Sequence, residues 1–341
     1  MTKRQRTRAT AIVAAALATT AIMSSPAEAA VPAAAQSWTS LMYQSLTVTA
    51  TGAQLRQTLA TQRTTVTTRA AEVTKATAAL TVAQNQVTAA TNADTAAKTR
   101  VTAAKAAVAA AKKKLSKAKP KGRTSARNGV TAAQKTLTLR TTQARDAATA
   151  LTTARSSATA ATAAVTTANN SVKSASAAVV LTQQKIAALK TPAQLAAQAA
   201  AVSKSAVTAV RPVFTTADTV VVYGTTVHHS VSFAYRRMVD DAKKAGIAIS
   251  GGGFRTKQRQ IELRKINGCP DVYTAPSSSC RVPTAVPGRS LHELGLAVDI
   301  TSGGKSLTSK SPAFKWLQQH ADEYGFVNLP SEPWHWSITG S

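Results

Sequence analysis

Large apolar residues recur every seven positions between Gly52 and Pro120, a stretch that contains no other glycine or proline. From position 76 onward, a second row three residues further along the chain is alanine. This a/d heptad pattern predicts a long helix with a seam of small residues, which lets another helix approach closely. Asp94 is the one exception in the first row, which otherwise consists of Leu59, Val66, Val73, Leu80, Val87, Val101, Val108 and Leu115.

The same pattern stops at a charged segment with helix breakers, residues 117–129, and resumes from Val130 to Ile186. Two similar arms joined by a short turn predict an antiparallel coiled-coil hairpin over residues 45–200. The alternative is a disordered Ala/Thr tract, since threonine is a poor helix former. The unbroken heptads favour the hairpin, and Pro192 is predicted to end its second arm.

Beyond residue 205 the pattern becomes that of an ordinary globular domain, and all five phenylalanines and all five histidines lie beyond residue 210. Segments whose apolar residues recur every second position alternate with segments whose apolar residues recur every 3.6 positions. This alternation of strands and helices predicts a small α+β domain with an antiparallel sheet over 205–341. The helix over 231–245 is expected to turn Phe233, Met238 and Ala242 inward. Strands are predicted at 219–223, 247–254, 295–300 and 333–338, and further helices at 257–265 and 313–324.

Positive charge is concentrated in the predicted hairpin. Residues 30–210 hold 23 Lys/Arg and 3 Asp/Glu, a net charge of +20, whereas residues 211–341 hold 15 and 10, a net of +5. The charge is densest from Lys112 to Lys121, so the hairpin is expected to adsorb to polyanions. No base-reading motif is present, which favours anionic wall polymers or phospholipid head groups over specific nucleic acid. A solvated coiled-coil face without a partner is the alternative.

The first 29 residues have the organisation of a secretory signal peptide. Four basic residues precede the uncharged apolar run 11–23, and Ala27-Glu28-Ala29 supplies the small-x-small cleavage pattern, so cleavage is predicted after Ala29. The run is shorter than the ~20 apolar residues of a membrane anchor, and no later stretch is apolar enough to span a bilayer. We therefore expect a secreted, cell-wall-associated protein without a transmembrane segment.

The only two cysteines, Cys269 and Cys280, lie close together in the exported part. An oxidising compartment favours a disulfide between them. A metal-binding pair is the alternative, but the ligand set described next requires no thiolate.

Two separate segments carry the residues with catalytic potential. His292-Glu293-Leu294 is not a zincin helix, because Leu296 stands where the second histidine is required. Instead, His292 precedes Asp299 by seven residues, and Asp299 lies in an apolar strand where a carboxylate is costly to bury without a cation. Glu332 and His335 follow. Two histidines and one aspartate leave a fourth position on Zn²⁺ for water, and Glu332 can act as general base.

The pattern Ser290-x-His292-x-x-Gly295-x-Ala297-x-Asp299, followed by Glu332-x-x-His335, resembles VanY-type D-alanyl-D-alanine carboxypeptidases, a group of LAS-type metallopeptidases. Gly253-Phe254-Arg255-Thr256 and Gln258 agree with this likeness over roughly 220–336, although Phe254 and Thr256 replace a tyrosine and a serine.

The resemblance implies three zinc ligands, His292, Asp299 and His335, and a general base, Glu332. It further implies that Arg255 stabilises the oxyanion and that Gln258 and Ser290 line the substrate site; simple structural roles remain the alternatives for these three. His228 and His229 lie outside the motif and are read as structural.

The expected function is hydrolysis of peptidoglycan stem peptides, first of all at the D-Ala-D-Ala terminus. An endopeptidase that cuts another stem-peptide bond remains open, as does a catalytically silent protein that binds cell wall or polyanions.

Overall fold

The structure, a computed structural model, describes residues 31–341, so the predicted signal peptide lies outside the described residues. The chain divides into two compact units. Residues 48–190 form the helical unit, and residues 31–47 together with 191–341 form the sheet unit. None of the helices in the described part of the chain is long and apolar enough to cross a membrane.

The helical unit consists of most of α1 (Ala33–Lys117) and of α2 (Arg123–Ala187), joined by a 3₁₀ turn, Pro120–Gly122. A Cβ placed on Gly52 would lie 3.4 Å from Cδ1 of Leu189, so the start of one arm lies beside the end of the other and the helices run antiparallel. The buried apolar positions of this unit fall on the predicted heptad seams: Ala83, Ala97, Ala104, Val108, Leu151 and Ala154. Asp94 is also buried, and its carboxylate pairs with Lys98 at 2.7 Å.

The ends of the second arm differ from the prediction. Its helix begins at Arg123 with Gly129 in the interior, and it ends at Ala187. Pro192 begins the next helix, α3 (Pro192–Val210), because the first helical position does not need an N–H donor. Thr191 and Gln194 form a capping box there. The predicted domain limits of 200 and 205 therefore fall inside a continuous helix.

The sheet unit contains a five-stranded antiparallel sheet in the order β3-β4-β7-β6, with β5 paired to β4, and a separate β1-β2 hairpin. The strands are β1 (Thr219–Val222), β2 (Thr225–His228), β3 (Ser250–Gly252), β4 (Ala297–Ser302), β5 (Lys305–Ser306), β6 (Val327–Leu329) and β7 (Glu332–Ser337). The remaining helices are α4 (His229–Lys244), α5 (Lys257–Ile266) and α6 (Pro312–His320). The predicted α+β class with an antiparallel sheet is confirmed.

The core of the sheet unit includes segments outside the predicted domain. Trp38 and Met42 of α1 are each 1% exposed, and a Cβ on Gly325 would lie 2.7 Å from the Trp38 ring. Ala199, Ala206 and Val210 of α3 join the same core. Both helices therefore contribute buried apolar area to the unit.

The inward face of α4 differs at one position. Met238 and Ala242 are buried as predicted, but Phe233 is half-buried and contacts the Tyr43 ring at 4.9 Å between centroids. The residues buried beside Met238 are Val231, Ala234 and Tyr235.

Candidate metal centre

The three predicted ligands come together beside two neighbouring strands, β4 and β7. Asp299 of β4 and His335 of β7 are paired directly across the sheet, which brings their side chains together on one face. His292 arrives from a 3₁₀ turn, His292–Leu294, just before β4. His292 Nε2 lies 3.0 Å from Asp299 Oδ1 and 3.2 Å from His335 Nδ1, and His335 Nδ1 lies 3.1 Å from Asp299 Oδ1.

Main-chain oxygens fix the tautomer of each imidazole. His292 Nδ1–H donates to Gly253 O at 2.7 Å, and His335 Nε2–H donates to Ser341 O at 3.3 Å, because a carbonyl can only accept. The lone pairs of His292 Nε2 and His335 Nδ1 therefore both face Asp299. This is the support that metal-binding histidines receive from the groups behind them.

Two glycines let the backbone approach closely enough to place His292. Gly295 ends the 3₁₀ turn with φ of 65°, and a Cβ there would lie 2.6 Å from His228 N. A Cβ on Gly253 would lie 2.0 Å from Thr226 O. Any side chain at either position would displace the segment that holds the imidazole.

This donor set fits Zn²⁺. A tetrahedral ion with bonds of about 2.0–2.2 Å needs ligand atoms about 3.3 Å apart. The three observed separations are 3.0, 3.1 and 3.2 Å, and all three ligand atoms belong to types that zinc prefers. With three protein ligands, a fourth position remains for water or substrate.

Asp299 is held in its charged form. Burial alone would raise its pKa, but the neighbouring imidazoles of His292 and His335 lower that pKa well below its usual range. Arg255 Nη2 adds an ion pair to the outer oxygen, Oδ2, at 2.9 Å. The carboxylate can thus act as an anionic ligand at any ordinary pH.

A cavity of about 940 Å³ opens in front of the ligands. Glu332 is half-buried in its wall, and burial is the main cause that raises the pKa of this carboxyl. Arg255 and Ser290 line the same cavity, as does Trp334. Trp336, on the opposite face of β7 from His335, packs in the core.

Gln258 does not join this group, and Gln260 does. Two residues that are two positions apart on a helix point about 200° away from each other, so the Gln258 side chain faces solvent while the Gln260 side chain faces the protein. Gln258 is exposed and lies 3.5 Å from Glu262. Gln260 is 1% exposed, and its Oε1 accepts from Arg255 Nη1 at 3.0 Å while its amide donates to Ala285 O at 2.7 Å.

Ser290 is buried in a loop that is clamped from two sides. The Glu293 carboxylate accepts from the N–H groups of Gly288, at 2.8 and 3.0 Å, and of Ser290, at 3.2 Å. Arg211, at the end of α3, donates to the carbonyls of Gly288 and Arg289. Glu293 is thus a loop anchor. No sequence pattern marks Arg211, because it binds main-chain atoms 77 residues away.

Cys269 and Cys280 form a disulfide, as predicted. The loop that it closes is organised by Arg264, which is fully buried and donates to the main-chain oxygens of Asp271, Ala275 and Thr284. Ser277 of this loop lines the cavity, as do Val282 and Thr284 just after it.

Comparisons with known proteins agree with the site. Residues 224–341 match the VanY family model, described as D-alanyl-D-alanine carboxypeptidase. A D-alanyl-D-alanine carboxypeptidase of Enterococcus faecalis is 31% identical over 124 residues, which cover 30% of this chain and 44% of the relative. The chain thus spans less than half the length of the curated relatives it matches.

One solved structure that resembles the chain is a mutant of the vancomycin resistance D,D-pentapeptidase VanY from a VanB-type resistance cassette, in complex with Zn(II). It is 26% identical and covers 35% of this chain and 76% of its own, with a TM-score of 0.29. The family match and the similarity to the curated relative both concern the part of the chain that carries the metal centre. Residues 224–341 are thus the part of the chain that is similar to VanY-type carboxypeptidases.

Proposed function

We propose that this chain is a secreted zinc carboxypeptidase that removes the terminal D-alanine from peptidoglycan stem peptides. The observation that carries the proposal is the cluster of His292, Asp299 and His335 in a cavity whose wall also holds Glu332 and Arg255. An ordered set of metal ligands, a carboxylic base and a cation in one cavity suits amide hydrolysis. The family match to residues 224–341 supports the choice of substrate.

Each side chain has a role in this proposal. A bound zinc ion polarises the peptide carbonyl and lowers the pKa of water at the site. Glu332 takes the proton of the attacking water and passes it to the leaving amine, and its raised pKa suits a group that must both accept and release a proton.

Arg255 stabilises the oxyanion in the proposed reaction. Its guanidinium is anchored by Gln260 at 3.0 Å and by Asp299 at 2.9 Å, which occupy two of its five N–H donors. The donors that remain can bind the negative charge that develops on the substrate oxygen.

Secretion is supported by the disulfide between Cys269 and Cys280, since such bonds persist in oxidising compartments. The predicted signal peptide adds to this argument from sequence alone.

The test is to incubate the chain with a stem pentapeptide ending in D-Ala-D-Ala and to weigh the products by mass spectrometry. We expect a single product that lacks one alanine. Glu332→Gln should keep its zinc and lose nearly all activity, whereas the matched control Glu323→Gln, on an exposed surface, should cleave like the parent. Cleavage at an internal bond would identify an endopeptidase, and no cleavage would favour a silent wall-binding protein.

A second role, wall tethering, is favoured by the charge of the helical unit. Eight basic residues near its turn are all exposed and no acidic residue lies among them: Lys112, Lys113, Lys114, Lys117, Lys119, Lys121, Arg123 and Arg127. We expect the full chain to bind isolated anionic wall at low salt and to be released as salt screens the charges. Exchanging four of the lysines for glutamine should weaken this binding without altering cleavage of a soluble peptide. Equal wall binding by both proteins would refute the tether.

A further inference from the structure

One wall of the cavity is formed by a helix that lies outside the family domain. Lys204, Val207 and Thr208 of α3 and Arg211, directly after its last residue, line the cavity together. Their spacing of three and four residues is that of a single helix face. Since the family match begins at residue 224, α3 is an addition to the part of the chain that the match covers.

This wall is cationic, whereas the acidic groups lie at the metal centre. Among the described residues that line the cavity, the only acidic side chains are those of Asp299 and Glu332. Lys204 and Arg289 line it as well, and within residues 31–341 neither side chain forms an ion pair. Two cations are therefore available to an anionic ligand.

Arg211 connects this wall to the metal centre. It donates to the carbonyls of Gly288 and Arg289, in the loop that continues to Ser290 and His292. Burial lowers the pKa of Arg211, the charge of Glu293 opposes this, and the nearby charge of Arg289 lowers it further. Arg289 is thus close to Arg211, and the two extend the positive charge of α3 toward the loop that carries His292.

The length of this row indicates which part of a peptide it can contact. Lys204 precedes Arg211 by two helical turns, or about 10 Å along the helix axis. The terminal carboxylate of a carboxypeptidase substrate lies one residue from the scissile bond, or about 4 Å. A row of this length is longer than the distance from the scissile bond to that carboxylate, so it can also contact a substrate side chain on the amino-terminal side of the bond.

We propose that Lys204 and Arg289, in a wall that Arg211 holds in place, bind a side-chain carboxylate of the substrate peptide on the amino-terminal side of the scissile bond. This inference rests on the proposed function and names its substrate class, an acidic peptide. The cavity volume of about 940 Å³ is at the upper end for small-molecule pockets, which leaves room for more than the two terminal residues.

The experiment uses the full chain and two synthetic peptides that end in D-Ala-D-Ala and differ only upstream, where one has glutamate and the other glutamine. The measured quantity is the ratio of kcat/KM for the glutamate peptide to that for the glutamine peptide. We expect about tenfold for the parent, which is the order of one hydrogen bond to a charged group. Lys204→Gln combined with Arg289→Gln should bring the ratio close to one, mainly through KM.

Two further proteins make the test specific. Lys310→Gln combined with Lys315→Gln removes the same charge from residues that do not line the cavity, and it should keep the parental ratio. Arg289→Glu should reverse the preference. A parental ratio near one, or an unchanged ratio in the Lys204/Arg289 variant, would overturn the inference.

Failure of the proposed function has a different signature. If the parent cleaves neither peptide, calorimetry on the same peptides decides the inference alone. Tighter binding of the glutamate peptide by the parent, lost in the Lys204/Arg289 variant, would support it, and equal binding of both peptides would overturn it.

Discussion

His228 makes the stability of the sheet unit depend on pH through a single buried imidazole. Its side chain is 2% exposed, and its Nδ1 accepts from Ser230 N at 3.1 Å to cap α4. Burial is the main cause that lowers its pKa from 6.5 to about 4. In the folded chain the ring thus remains neutral where the unfolded chain already binds a proton.

The sign and size of the effect follow from proton linkage. Between pH 6.5 and about 4 the unfolded state binds more protons at His228, so the free energy of unfolding falls as the pH falls through this window. Lowering the pH from 7.5 to 5.0 should cost about 2 kcal/mol through this group alone. His228→Asn removes the titration and retains an oxygen that can cap the helix.

The assay is urea unfolding followed by tryptophan fluorescence. All four tryptophans, Trp38, Trp316, Trp334 and Trp336, lie in the sheet unit, so the signal reports on that unit. Both proteins are first dialysed against a chelator, so that loss of bound zinc at low pH does not contribute to the measured change in stability. From pH 7.5 to 5.0 the parent should lose about 2 kcal/mol more than His228→Asn. Equal losses would show that His228 is not held neutral by burial, and the reasoning would be wrong.

Two more perturbations test the groups that position the site. Gln260→Leu should lower kcat about tenfold or more with little change in KM, because Arg255 loses one of its two anchors and is less well placed to stabilise the transition state. Steady-state kinetics of this variant and of the exposed Gln258→Leu would check this, and equal effects of the two variants would contradict it. Replacing both Cys269 and Cys280 with serine should destabilise the sheet unit by about 3 kcal/mol, since the unfolded chain gains the conformational entropy that the disulfide removes. Urea unfolding followed by fluorescence would measure this loss. An unchanged unfolding midpoint would mean that Arg264 alone holds the loop.

The three residues of the candidate metal centre could be grouped from the sequence, because Asp299 and His335 each lie in a predicted strand and the motif likeness includes both of them with His292. Asp299 lies in an apolar run and His335 in another, and pairing these strands in antiparallel fashion is enough to bring the side chains together. The hairpin was equally accessible, because its heptads repeat over many turns. The end of the second arm could not be predicted in the same way, since a proline such as Pro192 can follow the end of one helix or stand at the first position of the next.

The supporting residues depended on tertiary contacts that no local pattern encodes. The motif likeness points to Gln258, whereas the rotation of the helix places Gln260 against Arg255. Arg211 and Lys204 carry no motif and reach the cavity because α3 packs there. A signal was present in α3, whose apolar positions Leu195, Ala199, Ala206 and Val210 mark a buried face continuous with residues that line the cavity.

Titration of the stripped protein with zinc is the sharpest test of a zinc-dependent release of D-alanine. The full chain is stripped with chelator, and zinc is added back while release of D-alanine from a stem pentapeptide is followed. We expect no release from the stripped protein and full recovery at one zinc per chain, with no recovery in His292→Ala, Asp299→Ala or His335→Ala at the same zinc concentration. Full activity without zinc, or recovery by all three variants at one equivalent, would contradict it.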